Sequence, residues 1–325
     1  MRTLVTGGAG FIGSTLVDRL VHDGHDVTVV DDLSTGRLEN LADALASGRV
    51  HLAEADVAGP ELAGVVAAAR PQVAYHLAAQ IDVRRSVADP AFDARVNVLG
   101  TIQVARAALE AGCRRLVFAS SGGTVYGEPD PAELPVDETC RPRVTNPYGV
   151  SKRAAEDYLS SFAGVYGLEP VSLRLANVYG PRQDPHGEAG VVAIFCNRLL
   201  DDQPVTVYGD GLQTRDYVFV DDVVDAFAAA GERQGLEGLA GARLNIGTGV
   251  ASSVLDVYGE LRAVTGFGPE PTFAPARAGE LLAIALDSAA AGRLLGWRPR
   301  FDLKAGLERT WAWAFQEVNA GSVGG

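Results

Sequence analysis

The chain has 325 residues, 47% apolar and 21% charged, enough for one large domain or two small ones around a full core. That mixture excludes a disordered chain, a collagen and a disulfide scaffold. With 28 basic residues against 41 acidic ones the net charge is −13, which argues against nucleic acid and against an anionic membrane as partners. A small anionic ligand stays compatible, because a pocket needs only two or three placed arginines.

The first half alternates short Val/Leu-rich runs with helical periodicity. Arg2–Thr6, Asp26–Asp31, Arg49–Ala53, Gln72–Leu77 and Arg115–Ala119 read as strands buried on both faces. Phe11–Asp23, Arg37–Ala46, Glu61–Ala69 and Phe92–Ala111 read as the helices between them. A further helix is expected from Tyr148 to about Tyr166, then a strand at Val171–Leu175. Such alternation predicts a parallel sheet covered by helices. After about Asn177 the rhythm changes, with Pro181, Pro185, Gly187 and Gly190 punctuating a loop. Helical patterns follow at Val191–Leu200, Asp221–Ala230 and Val254–Thr265, and strand-like pieces at Val205–Tyr208, Asp216–Val220 and Arg243–Ile246. The expected class is α/β. A Rossmann-type doubly wound parallel sheet occupies residues 1–176, and a smaller mixed α/β C-terminal substrate domain occupies 177–325, with some segments returning to the first.

Chemistry first becomes specific at Thr6–Gly13 (TGGAGFIG). Gly7, Gly10 and Gly13 satisfy G-x-x-G-x-x-G, and Gly8, Gly10 and Gly13 satisfy G-x-G-x-x-G. The run ends a strand and opens a helix, where missing Cβ atoms let backbone and helix N-terminus approach a pyrophosphate. Asp31 closes the next strand 18 residues past Gly13, placed for an adenosine ribose hydroxyl. With Asp32 beside it, Asp31 would repel a 2′-phosphate, and Arg37 is the one nearby base, so NAD is favoured over NADP.

Tyr148 and Lys152 stand four apart, hence on one helical face. A phenol with a pKa near 10 is ionised in only about one copy in a thousand at neutral pH. Acting as a base there requires a shift of about three units, and a nearby lysine and an oxidised nicotinamide ring both push that way. The chain has 26 arginines and only two lysines, Lys152 and Lys304, so a lysine retained at this spacing is itself informative.

With these motifs the chain resembles the extended short-chain dehydrogenase/reductase superfamily, and within it the bacterial UDP-glucose 4-epimerases of the sugar-nucleotide epimerase/dehydratase family. The resemblance runs over nearly the whole chain. It is carried by Thr6–Gly13, Asp31–Gly36, Asp56, His76–Gln80, Asn97, Ser120–Gly127 (SSGGTVYG), Asn146–Lys152 (NPYGVSK), Asn177–Arg182, Arg215–Tyr217 and Arg277–Glu280. It implies that Phe11, Ile12 and the loop Asp31, Asp32, Leu33, Ser34, Thr35, Gly36 contact the adenosine half of NAD, and that Asp56 and Val57 approach the adenine. Leu77, Ala78, Ala79 and Gln80 would wall the cofactor, with Asn97 holding that wall. Asn177, Val191, Thr206, Tyr208, Arg215 and Arg277 would fall on a UDP-sugar, the two guanidinium forks suiting a diphosphate. It also implies that Phe92–Ala111 and Tyr148–Tyr166 build a four-helix homodimer interface.

One departure stands out. Family members usually carry Ser or Thr at the third position of Ser120–Gly127, and here that residue is Gly122. Ser121 and Thr124 are the nearest hydroxyls, and strand alternation favours Thr124 as the relay partner of Tyr148. The reaction implied is C4 epimerisation of a UDP-hexose through a transient 4-keto sugar. Dehydration would need Asp-Glu where Gly123 and Thr124 stand. A uronate substrate is disfavoured by Asp184, which would repel a carboxylate, and an N-acetylhexosamine depends on the room Ile284 leaves. A non-catalytic dinucleotide sensor would lack the Tyr/Lys pair.

The remaining residues read plainly. Cys113, Cys140 and Cys196 have no metal or redox spacing, so no metal is expected. Neither a leader-like region nor an apolar run of about 18 residues occurs, pointing to a cytoplasmic protein. His22 and His25 are expected to be solvated. Trp297, Trp311 and Trp313 are expected to pack the C-terminal elements.

Overall fold

The computed structural model describes residues 1–186, 190–233, 238–277 and 281–321. Seven strands form the main sheet: β1 (Arg2–Thr6), β2 (Asp26–Asp31), β3 (Val50–Glu54), β4 (Val73–His76), β5 (Arg115–Ser121), β6 (Glu169–Leu175) and β10 (Ala242–Ile246). Their order is β10-β6-β5-β4-β1-β2-β3, parallel throughout. Every residue of β4, and all but the last of β5, is buried, as expected of a sheet covered on both faces. Strand order reverses between β1 and β4, which opens a crevice at their carboxyl ends.

Among the described residues five short strands lie outside that sheet. β7 (Asn177–Tyr179), β9 (Thr214–Phe219) and β11 (Ala251–Ser253) form one mixed sheet, β7 parallel and β11 antiparallel to β9. β8 (Thr206–Tyr208) and β12 (Thr272–Ala274) pair in parallel. The largest apolar cluster runs from Val5, Leu16 and Val29 through Leu173 to Phe195, Phe219 and Tyr258, so it crosses the expected boundary at 176/177 without a break. β10 likewise returns from the second half to extend the first sheet beside β6.

Several elements differ from the sequence reading. The expected helix Phe92–Ala111 is a run of three segments: Pro90–Ala94, a π turn over Arg95–Leu99 and Gly100–Glu110. A helix at Val83–Ala88 precedes it, capped by the Asp82 side chain on the Arg85 amide. Arg37–Ala46 divides into a 3₁₀ turn, Leu38–Leu41, and one helical turn, Ala42–Ala46. Helices at Ala289–Leu295 and Leu303–Gly321 close the described residues. His25 is buried and pairs with Glu232 at 3.1 Å, contrary to the solvated reading, because the turn after the first helix packs against the helix Val220–Glu232. Trp297 is buried as expected, its indole N–H donating to the Asp222 carbonyl at 2.7 Å.

Candidate active site

A cleft of about 590 Å³ lies at the carboxyl ends of β1, β2, β4 and β5. The helix Phe11–His22 starts there on Gly10, with no side-chain cap and no acidic residue in its first turn. Its first amides therefore point unsatisfied into the cleft, the condition for anion binding. Two glycines are required by close approach. A Cβ on Gly13 would stand 2.0 Å from the Gly7 carbonyl oxygen. A Cβ on Gly7, whose φ is +70°, would stand 2.6 Å from the Ala78 nitrogen. The cradle thus fits a dinucleotide pyrophosphate and no side chain.

Gly7, Gly10, Phe11, Ile12 and Gly13 line one wall of this cleft, and Asp31, Asp32, Ser34, Thr35 and Gly36 line its end beside β2. Asp31 accepts from the Ala9 and Leu33 amides, both at 2.9 Å, and burial pushes its carboxyl above the ordinary value. Leu33 does not line the cleft: it turns inward, at φ +54°, onto the main apolar cluster. Asp56 and Val57 lie on the same rim, Asp56 paired with Arg95 at 2.7 Å. Leu77, Ala78, Ala79 and Gln80 form the facing wall. Asn97 stands behind that wall rather than in the cleft. Its amide oxygen takes the Gln80 N–H and its amide nitrogen donates to the Gln80 carbonyl, each at 2.9 Å.

Sequence reasoning missed the segment Arg182–Asp184 and His186, which borders the same cleft. Arg182 pairs with Asp18 at 2.7 Å, and Asp184 pairs with Arg37 at 3.2 Å. Asp184 therefore neutralises the one base near Asp31, and its role against a uronate carboxylate does not follow from its position. The punctuation at Pro181 and Pro185 marked a loop here, but nothing local said that it folds back onto the cleft.

Tyr148 and Lys152 face the cleft from the helix Pro147–Tyr166. That helix opens on Asn146, whose side chain accepts the Gly149 amide at 2.9 Å, with Pro147 at the first position. Lys152 is 3% exposed. Its Nζ donates to the Ala119 carbonyl at 2.9 Å and lies 5.8 Å from the Tyr148 ring centre. Burial pulls the ammonium down to about 8, against the pull of Asp93 and Glu156. Burial pushes the Tyr148 phenol up, Asp93 adds to that, and a hydrogen bond with the Ser121 side chain opposes it. Burial thus disfavours the phenolate, and a positive charge close to the phenol favours it.

The expected strand alternation past Ser121 fails. β5 ends at Ser121, and Gly122–Tyr126 is a one-turn helix. Thr124 Oγ1 is consequently buried with no hydrogen-bond partner, while Ser121 is the hydroxyl that meets Tyr148. A Cβ on Gly122 would stand 2.5 Å from Leu286 Cδ1, so a side chain there would have to displace Leu286.

The expected sugar-nucleotide residues lie outside the cleft, on the second half of the chain. Asn177 opens β7 and pairs with Tyr217 on β9, the strand that carries Arg215. Thr206 and Tyr208 share one face of β8, and the Arg277 guanidinium stacks 3.9 Å over the Tyr208 ring. Arg215 donates to the Thr214 carbonyl at 2.8 Å. Val191 begins the helix Val191–Leu200. Ala278, Gly279 and Glu280 lie outside the described residues. Ile284 is 2% exposed and packs with Tyr126, Val136 and Leu286. Among the described residues no cluster of three or more metal-type side chains occurs, and no helix is long and apolar enough to cross a membrane.

Comparison with known proteins agrees with this architecture. Residues 3–247 match the model of the NAD dependent epimerase/dehydratase family. A UDP-glucose 4-epimerase of Mycolicibacterium smegmatis is 51% identical over 310 residues, 95% of this chain and 97% of that protein. The UDP-glucose 4-epimerase of Thermotoga maritima, solved with UDP-glucose, is 41% identical with a TM-score of 0.92, covering 98% of this chain and 100% of that one. The Thermus thermophilus UDP-glucose 4-epimerase in complex with NAD is also 41% identical, with a TM-score of 0.87 over 97% and 99% of the two chains. With a glycine cradle at a switch point, an acid at the end of β2 and a Tyr–Lys pair on one helix face, this chain belongs to the NAD-dependent epimerase/dehydratase family.

Proposed function

We propose that the chain is an NAD-dependent isomerase that interconverts the C4 epimers of a UDP-hexose, UDP-glucose and UDP-galactose. The observation that carries this reading is the Tyr148 phenol, met by Ser121 and flanked by the buried Lys152, at the inner end of a dinucleotide cleft. The cleft has the fit for NAD described above. Bound NAD supplies the hydride acceptor and donor at sugar C4.

The chain's own residues do the rest. Tyr148 takes the proton of the 4-hydroxyl as the C4 hydrogen leaves as hydride, giving a 4-keto sugar. Ser121 donates to the phenolate oxygen and steadies it. Lys152 keeps a positive charge close to the phenol and close to the wall Leu77–Gln80. Arg215 and Arg277 hold the diphosphate by guanidinium forks. Asn177, Val191, Thr206 and Tyr208 border the nucleotide and sugar, which turns in the pocket so that hydride returns to the opposite face of C4 while Tyr148 gives its proton back to the C4 oxygen. Gly123 and Thr124 provide no carboxylate, so water is not eliminated from C5 and C6.

Asp31, Asp32 and the Arg37–Asp184 pair leave no unmatched cation for a 2′-phosphate at the adenosine end, which favours NAD. Val150, Tyr158 and Val165 are exposed on one face of the helix Pro147–Tyr166, and Leu99 is exposed on the adjoining helical run. They support a homodimer through this pair of helices. Three free cysteines, two of them buried, suit a cytoplasmic protein.

The test is an NMR time course of the purified protein with UDP-galactose, UDP-N-acetylgalactosamine and UDP-glucuronate in separate tubes, first without added NAD. Conversion of UDP-galactose to UDP-glucose is the expected result. Turnover of only one of the other sugars would keep the chemistry and move the substrate. No turnover of any, with NAD supplied, would refute the reading.

A further inference from the structure

We propose that Asp93 is a positioning residue, the buried counter-charge that holds Lys152 as an ammonium beside Tyr148 and ties that charge to the cofactor wall. This deepens the reading above and rests on it for the roles of Tyr148 and Lys152.

Asp93 lies on the helix Pro90–Ala94, which packs against the catalytic helix, and is 1% exposed. One carboxylate oxygen, Oδ1, accepts from Gln80 Nε2 at 2.9 Å and from Asn97 Nδ2 at 3.0 Å. The other, Oδ2, is buried with no hydrogen-bond partner. An asparagine would accept the same two bonds through one oxygen. The second oxygen and the full charge are therefore unexplained by packing, and burying them is costly unless a cation answers.

Lys152 is the cation that needs an answer. It is buried, its Nζ donates to the Ala119 carbonyl, and it makes no ion pair within 4.0 Å among the described residues. Two carboxylates act on it through space, Asp93 and Glu156. Glu156, on its own helix, is already committed: it holds Arg174 through both oxygens, at 2.7 and 2.9 Å, Arg243 at 3.0 Å and Ser120 at 2.6 Å. From β4, His76 faces Lys152 and is kept neutral by burial, its value pulled down to about 3. From β5, Phe118 presents its ring 4.9 Å away. The Tyr148 phenol completes the surround. Of these two carboxylates, Asp93 is thus the one whose charge no arginine matches among the described residues.

The same side chain reaches the cofactor wall. Gln80 bonds Asp93 by its side chain and Asn97 by its backbone, and Asn97 also donates to Ser151 at 3.2 Å, whose hydroxyl donates to the Tyr148 carbonyl at 2.9 Å. Charge and geometry of the Tyr–Lys pair are therefore set from the wall that holds the cofactor. Removing the charge of Asp93 lets both Lys152 and Tyr148 give up protons at lower pH.

The experiment compares the full-length protein as purified with its Asp93→Asn variant, which keeps the acceptor oxygen for Gln80 and Asn97. Because the chain has only two lysines, 13C-labelled lysine resolves Lys152 from the exposed Lys304, an internal reference. The expected result is a Lys152 midpoint about one unit lower in D93N, with the alkaline limb of kcat moving the same way by a similar amount. A Lys152 midpoint that stays or rises, or a kcat that drops with both limbs in place, would overturn the proposal in favour of a packing role. Should D93N not fold, Asp93→Ser removes the same charge with a smaller side chain and is read identically. The lysine titration needs no turnover. A wild-type protein without epimerase activity thus counts against the proposed function, and an unmoved lysine counts against Asp93.

Discussion

Replacing Ser121 by alanine tests which hydroxyl serves Tyr148. The Ser121 side chain hydrogen-bonds the phenol, and that bond strengthens as the phenol becomes a phenolate. A hydrogen bond to a charged group is worth about 1.5–3 kcal/mol, and about 1.4 kcal/mol is a factor of ten in rate. Ser121→Ala is therefore expected to lower kcat by about 10- to 150-fold while KM for the UDP-sugar stays within about threefold, because the loss falls on the transition state. Thr124→Val is the control. Thr124 Oγ1 is buried without a partner, so removing it gives up no bond, and kcat is expected to stay within about threefold. Both are read from initial rates of UDP-galactose conversion, with circular dichroism to confirm folding. A Thr124→Val enzyme slower than Ser121→Ala would refute the geometry of the one-turn helix Gly122–Tyr126.

Three further outcomes are expected. Gly122→Ser, which restores the family's usual residue, puts a Cβ 2.5 Å from Leu286 Cδ1 and should cost about 1–3 kcal/mol in a denaturant titration; Leu286→Ala added to it should recover part of that loss, and a fully stable single variant would contradict the packing. Tyr148→Phe should lower turnover by about 10²- to 10⁴-fold yet leave NAD bound, read by absorbance of the acid-released cofactor; loss of the cofactor would mean that the phenol is a structural support. Arg174→Met strips Glu156 of its bidentate partner at full burial and should cost about 3–5 kcal/mol, whereas the double variant Glu156→Leu/Arg174→Met should cost less than the single, because no uncompensated charge is left inside. Equal losses for single and double variants would mean that packing around Arg174, not its charge, holds the region.

The sequence by itself determined whatever is decided by spacing along one element. The glycine turn of Gly7, Gly10 and Gly13, the acid at the end of β2 and the Tyr148–Lys152 pair on one helix face each depend on backbone geometry within a few residues. So do the main strands, whose unbroken apolar runs suit only a sheet covered on both sides. Elements of three residues, such as β7, β11 and β12, carry too little periodicity to read locally and exist because β8 and β9 pair with them. The tertiary structure alone decided the rest. It ended β5 at Ser121 and turned Gly122–Tyr126 into one helical turn, with Leu286, from a segment more than a hundred residues on, against Gly122, and it left Thr124 Oγ1 buried without a partner. It folded the loop around Asp184 back onto Arg37, and it buried His25 against Glu232. It also set Asp93 behind the Tyr148–Lys152 pair. A charge acts through space on whatever the fold brings near it, and no pattern along the chain records which groups those will be.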